Sequence, residues 1–174
     1  MKHAGPLEIE VKVRVPSIQA LEPLLVQAGF RLVHPEAEEA NRLWDRSGEL
    51  QAQGSALRLR RYGGRAVLTW KGPRVADPRL KIRAELETEV ADPAAMEGIL
   101  AALGFAPALE IVKSRAIWRR DQLEACLDRT PYGFFVELEG SRDAIDQAMA
   151  ELGLDAAQVE PRSYAALYSG RDRD

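Results

Sequence analysis

Residues 8–15 read Glu8-Ile9-Glu10-Val11-Lys12-Val13-Arg14-Val15, with a charge at every even position and a β-branched residue at every odd one. Side chains on a strand point alternately to opposite faces, so this stretch predicts a strand with one apolar and one charged face. Leu80 to Val90 repeats the pattern over a longer span, and weaker versions run from Ala56 to Tyr62, Val112 to Trp118 and Phe135 to Glu139. Further strands are expected near Asn41 to Arg46, Arg65 to Lys71 and Leu123 to Arg129. Gly63-Gly64 supplies the positive φ of a tight hairpin, and Asp121-Gln122 marks another turn. The pattern amounts to about eight strands, mostly antiparallel.

Helices are fewer and well punctuated. Asp92, Pro93 and Gly104 frame one with Met96, Ile99, Leu100 and Leu103 on one side, and Ser141 and Gly153 frame another with Ile145, Ala148, Met149 and Leu152. Ser17 to Ala28 reads as a third, with Pro23 forcing a kink or a late start. Ser163 to Tyr168, closed by Gly170, reads as a short last helix.

The chain has 174 residues, about the size of one domain, and its 24 basic residues nearly cancel its 27 acidic ones. That balance excludes a general nucleic-acid coat, a polybasic membrane arm and an acidic tail, so no nucleic acid or membrane partner is expected. With no long apolar run and no leader-like N-terminal stretch, the expected location is the cytoplasm. Cys126 is the only cysteine, which leaves no intrachain disulfide and no thiolate zinc cluster.

The charges are segregated rather than mixed. From Arg58 to Arg83 nine basic residues face Asp77 alone, a local charge of +8 in a chain whose total is −3. Helices with one apolar stripe pack on the apolar strand faces, which turns the charged faces either to bulk water on an open sheet or into the lumen of a closed barrel. The density of Glu and Arg favours the lumen, because solvated strand faces are usually richer in Thr, Ser, Gln and Lys. A Glu-x-Glu pair on a strand sets two carboxylates on one face roughly 6.5 Å apart, able to flank a hard cation. Three such pairs, Glu8/Glu10, Glu87/Glu89 and Glu137/Glu139, with no cysteine cluster or useful histidine, point to Mg²⁺ or Mn²⁺. Arg and Lys in comparable numbers supply forks and point charges for several phosphate oxygens. No Gly-rich phosphate loop is present, so a phosphate site would be built from side chains on strands.

In order, Glu8-Ile9-Glu10-Val11-Lys12, Leu57-Arg58-Leu59-Arg60, Leu68-Thr69-Trp70-Lys71-Gly72-Pro73, Arg83-Ala84-Glu85-Leu86-Glu87, Lys113-Ser114-Arg115, Leu127-Asp128, Gly133-Phe134-Phe135-Val136-Glu137-Leu138-Glu139 and Ser163-Tyr164 resemble the CYTH domain family, the triphosphate tunnel metalloenzymes. The resemblance implies an α+β fold, a closed eight-stranded antiparallel β-barrel with helices packed outside, as a single domain over residues 1–170 with a frayed tail at 171–174. It implies a divalent metal and a triphosphate-containing small-molecule substrate, and a homodimer fits the family. Carried over by position, Glu8, Glu10, Glu137 and Glu139 would hold metal. Lys12, Arg58, Arg60, Lys71, Lys81, Arg83, Lys113 and Arg115 would hold phosphates. Glu85 and Glu87 would assist metal or water, and Asp128 would orient a basic residue or a metal-bound water; with Lys71 these three form the implied catalytic set.

Two reactions share such a lumen. Attack by water makes a triphosphatase acting on tripolyphosphate, thiamine triphosphate or a nucleoside triphosphate; attack by a ribose hydroxyl makes a class IV adenylate cyclase. Hydrolysis demands less and is the preferred expectation, with a non-catalytic polyphosphate- or nucleotide-binding module as a third reading. His3 and His34 are expected at the surface, Cys126 as a small filler, Trp44, Trp118 and Trp70 as packing, and Glu36 to Glu39 as a solvated loop or helical turn.

Overall fold

The computed structural model describes residues 5–170; the expected tail at 171–174 and His3 lie outside them. Eight strands form the wall: β1 (Leu7–Val15), β2 (Arg31–Asp45), β3 (Ala56–Tyr62), β4 (Arg65–Val75), β5 (Lys81–Glu89), β6 (Ala106–Arg120), β7 (Leu123–Thr130) and β8 (Gly133–Glu139). They close in the order β1-β5-β4-β3-β2-β6-β7-β8, each pair antiparallel. The closed barrel, not the open sheet, is the answer to the charged faces.

The apolar side of the wall faces outward and is covered by helices. Helix α1 (Glu22–Gln27) starts late, with Pro23 in its first turn where a missing N–H costs nothing. Helix α2 (Glu49–Ala52) is a single turn the sequence pattern did not announce. Helix α3 (Pro93–Ala102) is capped by the Asp92 side chain, which accepts from the amides of Ala94 and Ala95 at 3.0 and 2.9 Å. Helix α4 (Arg142–Glu151) is capped by Ser141 and buries Ile145, Ala148 and Met149. With α1 it covers Val11, Val13, Ala125, Leu127, Val136 and Leu138, while α3 lays Leu100 over Trp44, Leu59 and Ala66. Trp44 and Trp118 are thus packing residues, as expected.

Two sequence expectations fail on β2. The Glu36–Glu39 run is strand, and β2 starts at Arg31 instead of near Asn41. The register against β6 slips on both sides of His34, so the strand carries irregularities that hide it from a period-2 reading. The Gly63-Gly64 hairpin is as expected, with φ of 58° and 78°.

After α4 the chain crosses one end of the barrel. Val159 bridges to Val13, the Glu160 amide donates to the Lys12 carbonyl at 2.8 Å, and Arg74 donates to the Pro161 carbonyl at 3.0 Å. Helix α5 (Tyr164–Ser169), capped by Ser163 and ended by Gly170 at φ 67°, completes this strap.

Candidate active site

The lumen holds a cavity of about 560 Å³. Its wall is made chiefly by the even residues of β1, β3 and β7 and the odd residues of β2, β4, β5, β6 and β8, the faces opposite those that the helices cover. Of the expected metal and phosphate residues, Glu8, Glu10, Glu137, Glu139, Arg58, Arg60, Lys71, Lys81, Arg83, Lys113 and Arg115 all line it, with Glu85 and Glu87. Lys12 and Asp128 do not line the open cavity; they sit on the lumen-facing sides of β1 and β7 but are closed off beneath Tyr164 of the strap, 1 % and 0 % exposed.

The cations are held by carboxylates in pairs. Lys71 Nζ is 2.5 Å from Glu85 Oε1, Lys81 Nζ donates to Glu10 Oε1 at 3.0 Å, and Arg58 donates to Glu87 at 3.3 Å and to Thr69 at 3.2 Å. Thr69 in turn donates to Glu87 at 2.7 Å. Deeper, Arg115 makes a two-point pair with Asp128 and reaches Glu137 at 2.6 Å, while Lys113 donates to Asp128 at 2.9 Å. The Tyr164 hydroxyl also donates to Asp128, so that one carboxylate ties two lumen-side groups, Arg115 and Lys113, to the strap.

Glu39 was missed by the sequence reading. It is 0 % exposed, accepts from Asn41 at 2.9 Å, and lies 3.4 Å from Lys113 and 3.6 Å from Arg115. Burial alone would raise its pKa, but Arg115 and Lys113 hold it well below the carboxylate range. The available signal was parity: Glu39 shares a strand face with Asn41. Tyr164 stands out in the sequence only within the Ser163-Tyr164 family element, and nothing there marks its place against Lys12 and Lys113, whose ammonium groups sit 3.7 and 4.1 Å from its ring centroid.

Charge is unevenly balanced along the tunnel. Near the barrel end where β1 begins, burial and the neighbouring Glu139 and Glu85 push the Glu8 carboxyl up to about 8. Burial, then Glu10 and Glu124, push Glu139 up to about 7. Burial also disfavours the Glu10 charge, yet Lys81, Lys71 and Lys12 together outweigh it and Glu10 falls to about 2. Lys12 is lowered to about 7 by burial and by Lys81, and its Nζ makes no hydrogen bond, lying 3.7 Å from Glu137. Among the described residues no three metal-ligating side chains converge on one point, because Glu10 and Glu137 lean toward their cations.

The site is thus the lumen of a closed antiparallel barrel, lined by carboxylates paired with Arg and Lys. The CYTH domain family matches residues 6–164, and the chain belongs to that family. MJ0240 of Methanocaldococcus jannaschii, which carries a provisional adenylate cyclase name, is 30% identical over 142 residues, 81% of this chain and 81% of that protein. The solved structure of a Vibrio parahaemolyticus protein, likewise provisionally described as an adenylate cyclase, matches with a TM-score of 0.83 at 22% identity over 95% of this chain and 99% of its own. HpAC1 of Hippeastrum, described as revealing a dominant triphosphatase activity, matches with a TM-score of 0.67 at 24% identity over 94% of this chain and 96% of its own. No described helix is long and apolar enough to cross a membrane.

Proposed function

We propose that the protein is a divalent-metal-dependent phosphohydrolase that cleaves a triphosphate held in the lumen. The observation that carries this reading is the opposition of two charge sets on one closed interior: Arg58, Arg60, Lys71, Lys81, Arg83, Lys113 and Arg115 against Glu8, Glu10, Glu137 and Glu139. A single phosphate needs far fewer cations, so the set suits a chain of phosphoryl groups.

The carboxylate level fits a hard cation. Glu8 and Glu139 take up protons well above the usual carboxylate range because burial and like charges crowd them, a shortage of positive charge that Mg²⁺ or Mn²⁺ would relieve. Glu8, Glu10, Glu137 and Glu139 would hold such an ion, which as a Lewis acid would offset charge on phosphate oxygens.

The chain's own residues do the rest. Lumen cations now paired with carboxylates exchange those partners for phosphate oxygens, so the donors are already oriented when the substrate arrives. Asp128 keeps Arg115 and Lys113 in place from the closed end of the lumen, and Lys12 offers a buried donor without a hydrogen bond. Glu85 and Glu87, facing the lumen on β5, orient the attacking water. Its oxygen bonds to the terminal phosphorus, the bridging P–O bond breaks, and the diphosphate leaves against the Arg and Lys ring.

Adenylate cyclisation is the second reading, supported by the name that MJ0240 carries. That name does not decide between the two, since HpAC1 is described as an adenylyl cyclase whose dominant activity is triphosphatase. Incubation with Mg²⁺ or Mn²⁺ and tripolyphosphate, thiamine triphosphate or ATP separates them. Orthophosphate release is expected; cyclic AMP plus diphosphate from ATP would replace hydrolysis with cyclisation, and binding without turnover would leave a binding module.

A further inference from the structure

Uncharged side chains line the lumen in two places: Leu43, Ala56 and Ile111 lie toward the strap, and a second group forms one wall of the opposite mouth. Where β2, β3 and β6 meet, His34, Tyr62 and Ile117 line the cavity together, with Val67 of β4 on the same rim. The His34 and Tyr62 rings meet edge to face, centroids 5.7 Å apart at 72°. The Tyr62 hydroxyl donates to the Arg115 carbonyl at 3.0 Å, which pins its ring across β2 against β6.

The backbone spends two irregularities to bring His34 there. Lumen positions on β2 are odd, Glu39, Asn41 and Leu43, so regular alternation would turn residue 34 outward. Instead Val33 is an extra residue between the pairs Leu32↔Trp118 and His34↔Ile117, and Pro35 and Glu36 together lie opposite Ala116 before pairing resumes at Ala37↔Arg115. Bulges re-aim side chains, and this pair puts His34 on the same face as Ile117. A histidine destined for solvent would need neither.

This corrects the expectation that His34 is a surface residue. Two ion pairs, Arg65 with Glu89 and Arg119 with Glu124, belong to the same mouth, so the weakly polar wall is framed by charge. Tripolyphosphate carries no group that gains from such a wall. A flat heterocycle does, because ring faces stack on aromatic side chains and apolar groups without needing a particular hydrogen-bond pattern. The opposite end is crossed by the strap at Ser163 and Tyr164, which leaves this mouth for the part of a substrate that is not phosphate.

We infer that His34, Tyr62 and Ile117 form a subsite for the planar heterocycle of an organic triphosphate, of which a nucleoside triphosphate is the nearest chemical class. The inference rests on the triphosphate reading above and narrows its substrate.

Binding of ATP, UTP, methyl triphosphate and tripolyphosphate to the full chain with Mg²⁺ is measured by calorimetry, alongside phosphate release. The wild-type protein is expected to favour ATP or UTP over methyl triphosphate, and the ATP-to-tripolyphosphate affinity ratio is expected to fall about tenfold in His34→Ala and Tyr62→Leu, with Tyr62→Phe retaining it. The ATP and UTP arms show whether a purine or a pyrimidine fits better. Ratios unmoved in both ring-removing variants overturn the subsite. If those variants do not fold, saturation-transfer NMR on the wild type decides: magnetisation reaching the adenine H2 and H8 protons supports the subsite, and its absence with ATP bound overturns it. Binding of tripolyphosphate without any phosphate release refutes hydrolysis while the binding ratios still judge the subsite.

Discussion

Arg115 and Asp128 form a two-point pair, Nε to Oδ1 at 2.7 Å and Nη2 to Oδ2 at 2.6 Å, with the carboxylate fully buried. Removing one partner of such a pair leaves the other charge without compensation. Asp128→Ala is therefore expected to lower unfolding stability by about 3–5 kcal/mol and to raise KM for the triphosphate, since Lys113 and Arg115 lose their anchor. Denaturant titration and steady-state kinetics check both; an unchanged midpoint would show that the pair contributes no stability.

Glu139 behaves differently, because burial and like charges disfavour its ionised form. Glu139→Gln is expected to leave the metal-free protein at least as stable as the parent while weakening Mn²⁺ binding by about tenfold or more. Melting curves with and without Mn²⁺ test the split, which a packing role for Glu139 would not produce.

The same carboxylates set a pH dependence. Glu8 at about 8 and Glu139 at about 7 hold protons more tightly folded than at the ordinary 4.5, so their contribution to stability is present below about 4.5 and is lost as pH rises through 7 to 8. The metal-free protein should lose stability across that window, and the stabilisation given by Mn²⁺ should grow over it, because metal binds the deprotonated groups. Glu10, lowered to about 2, works in the opposite direction: its contribution is present above 4.5 and is lost as pH falls toward 2. An Mn²⁺-induced shift in Tm that is equal at pH 6 and pH 8.5 would contradict the assignment.

Ile145 of α4 is fully buried against the outer face of the barrel. Ile145→Ala is expected to cost about 2–5 kcal/mol with KM little changed, since nothing in the lumen touches it. Guanidinium unfolding and kinetics on the folded fraction provide the check.

Strands whose two faces differ sharply were legible in the sequence. β3 falls on its expected residues, and β1 and β5 nearly so, because charge and branched aliphatics alternate there without interruption. The first part of β2 was not legible, since bulges around His34 break the period and the acidic run at Glu36 to Glu39 imitates a solvated loop. Closure of the barrel depends on the β1–β5, β2–β6 and β1–β8 pairings, which join residues far apart in the chain and leave no local mark. The residues now facing the cavity were mostly readable from parity and family order. Glu39 had parity with Asn41 in its favour but was masked by the acidic run, while His34 and the depth of Asp128 are decided by partners on other strands.

The placement of the apolar core outside the wall separates two kinds of inheritance. Along β1, Val11 and Val13 face the helices and Glu8 and Glu10 face the lumen, and the two sets are interleaved letter by letter. A lineage that keeps the helix-facing letters can rewrite the mouth-level lumen letters and acquire a new substrate without rebuilding the scaffold. Only where the lumen is sealed, at Asp128 and Arg115, does one letter serve both.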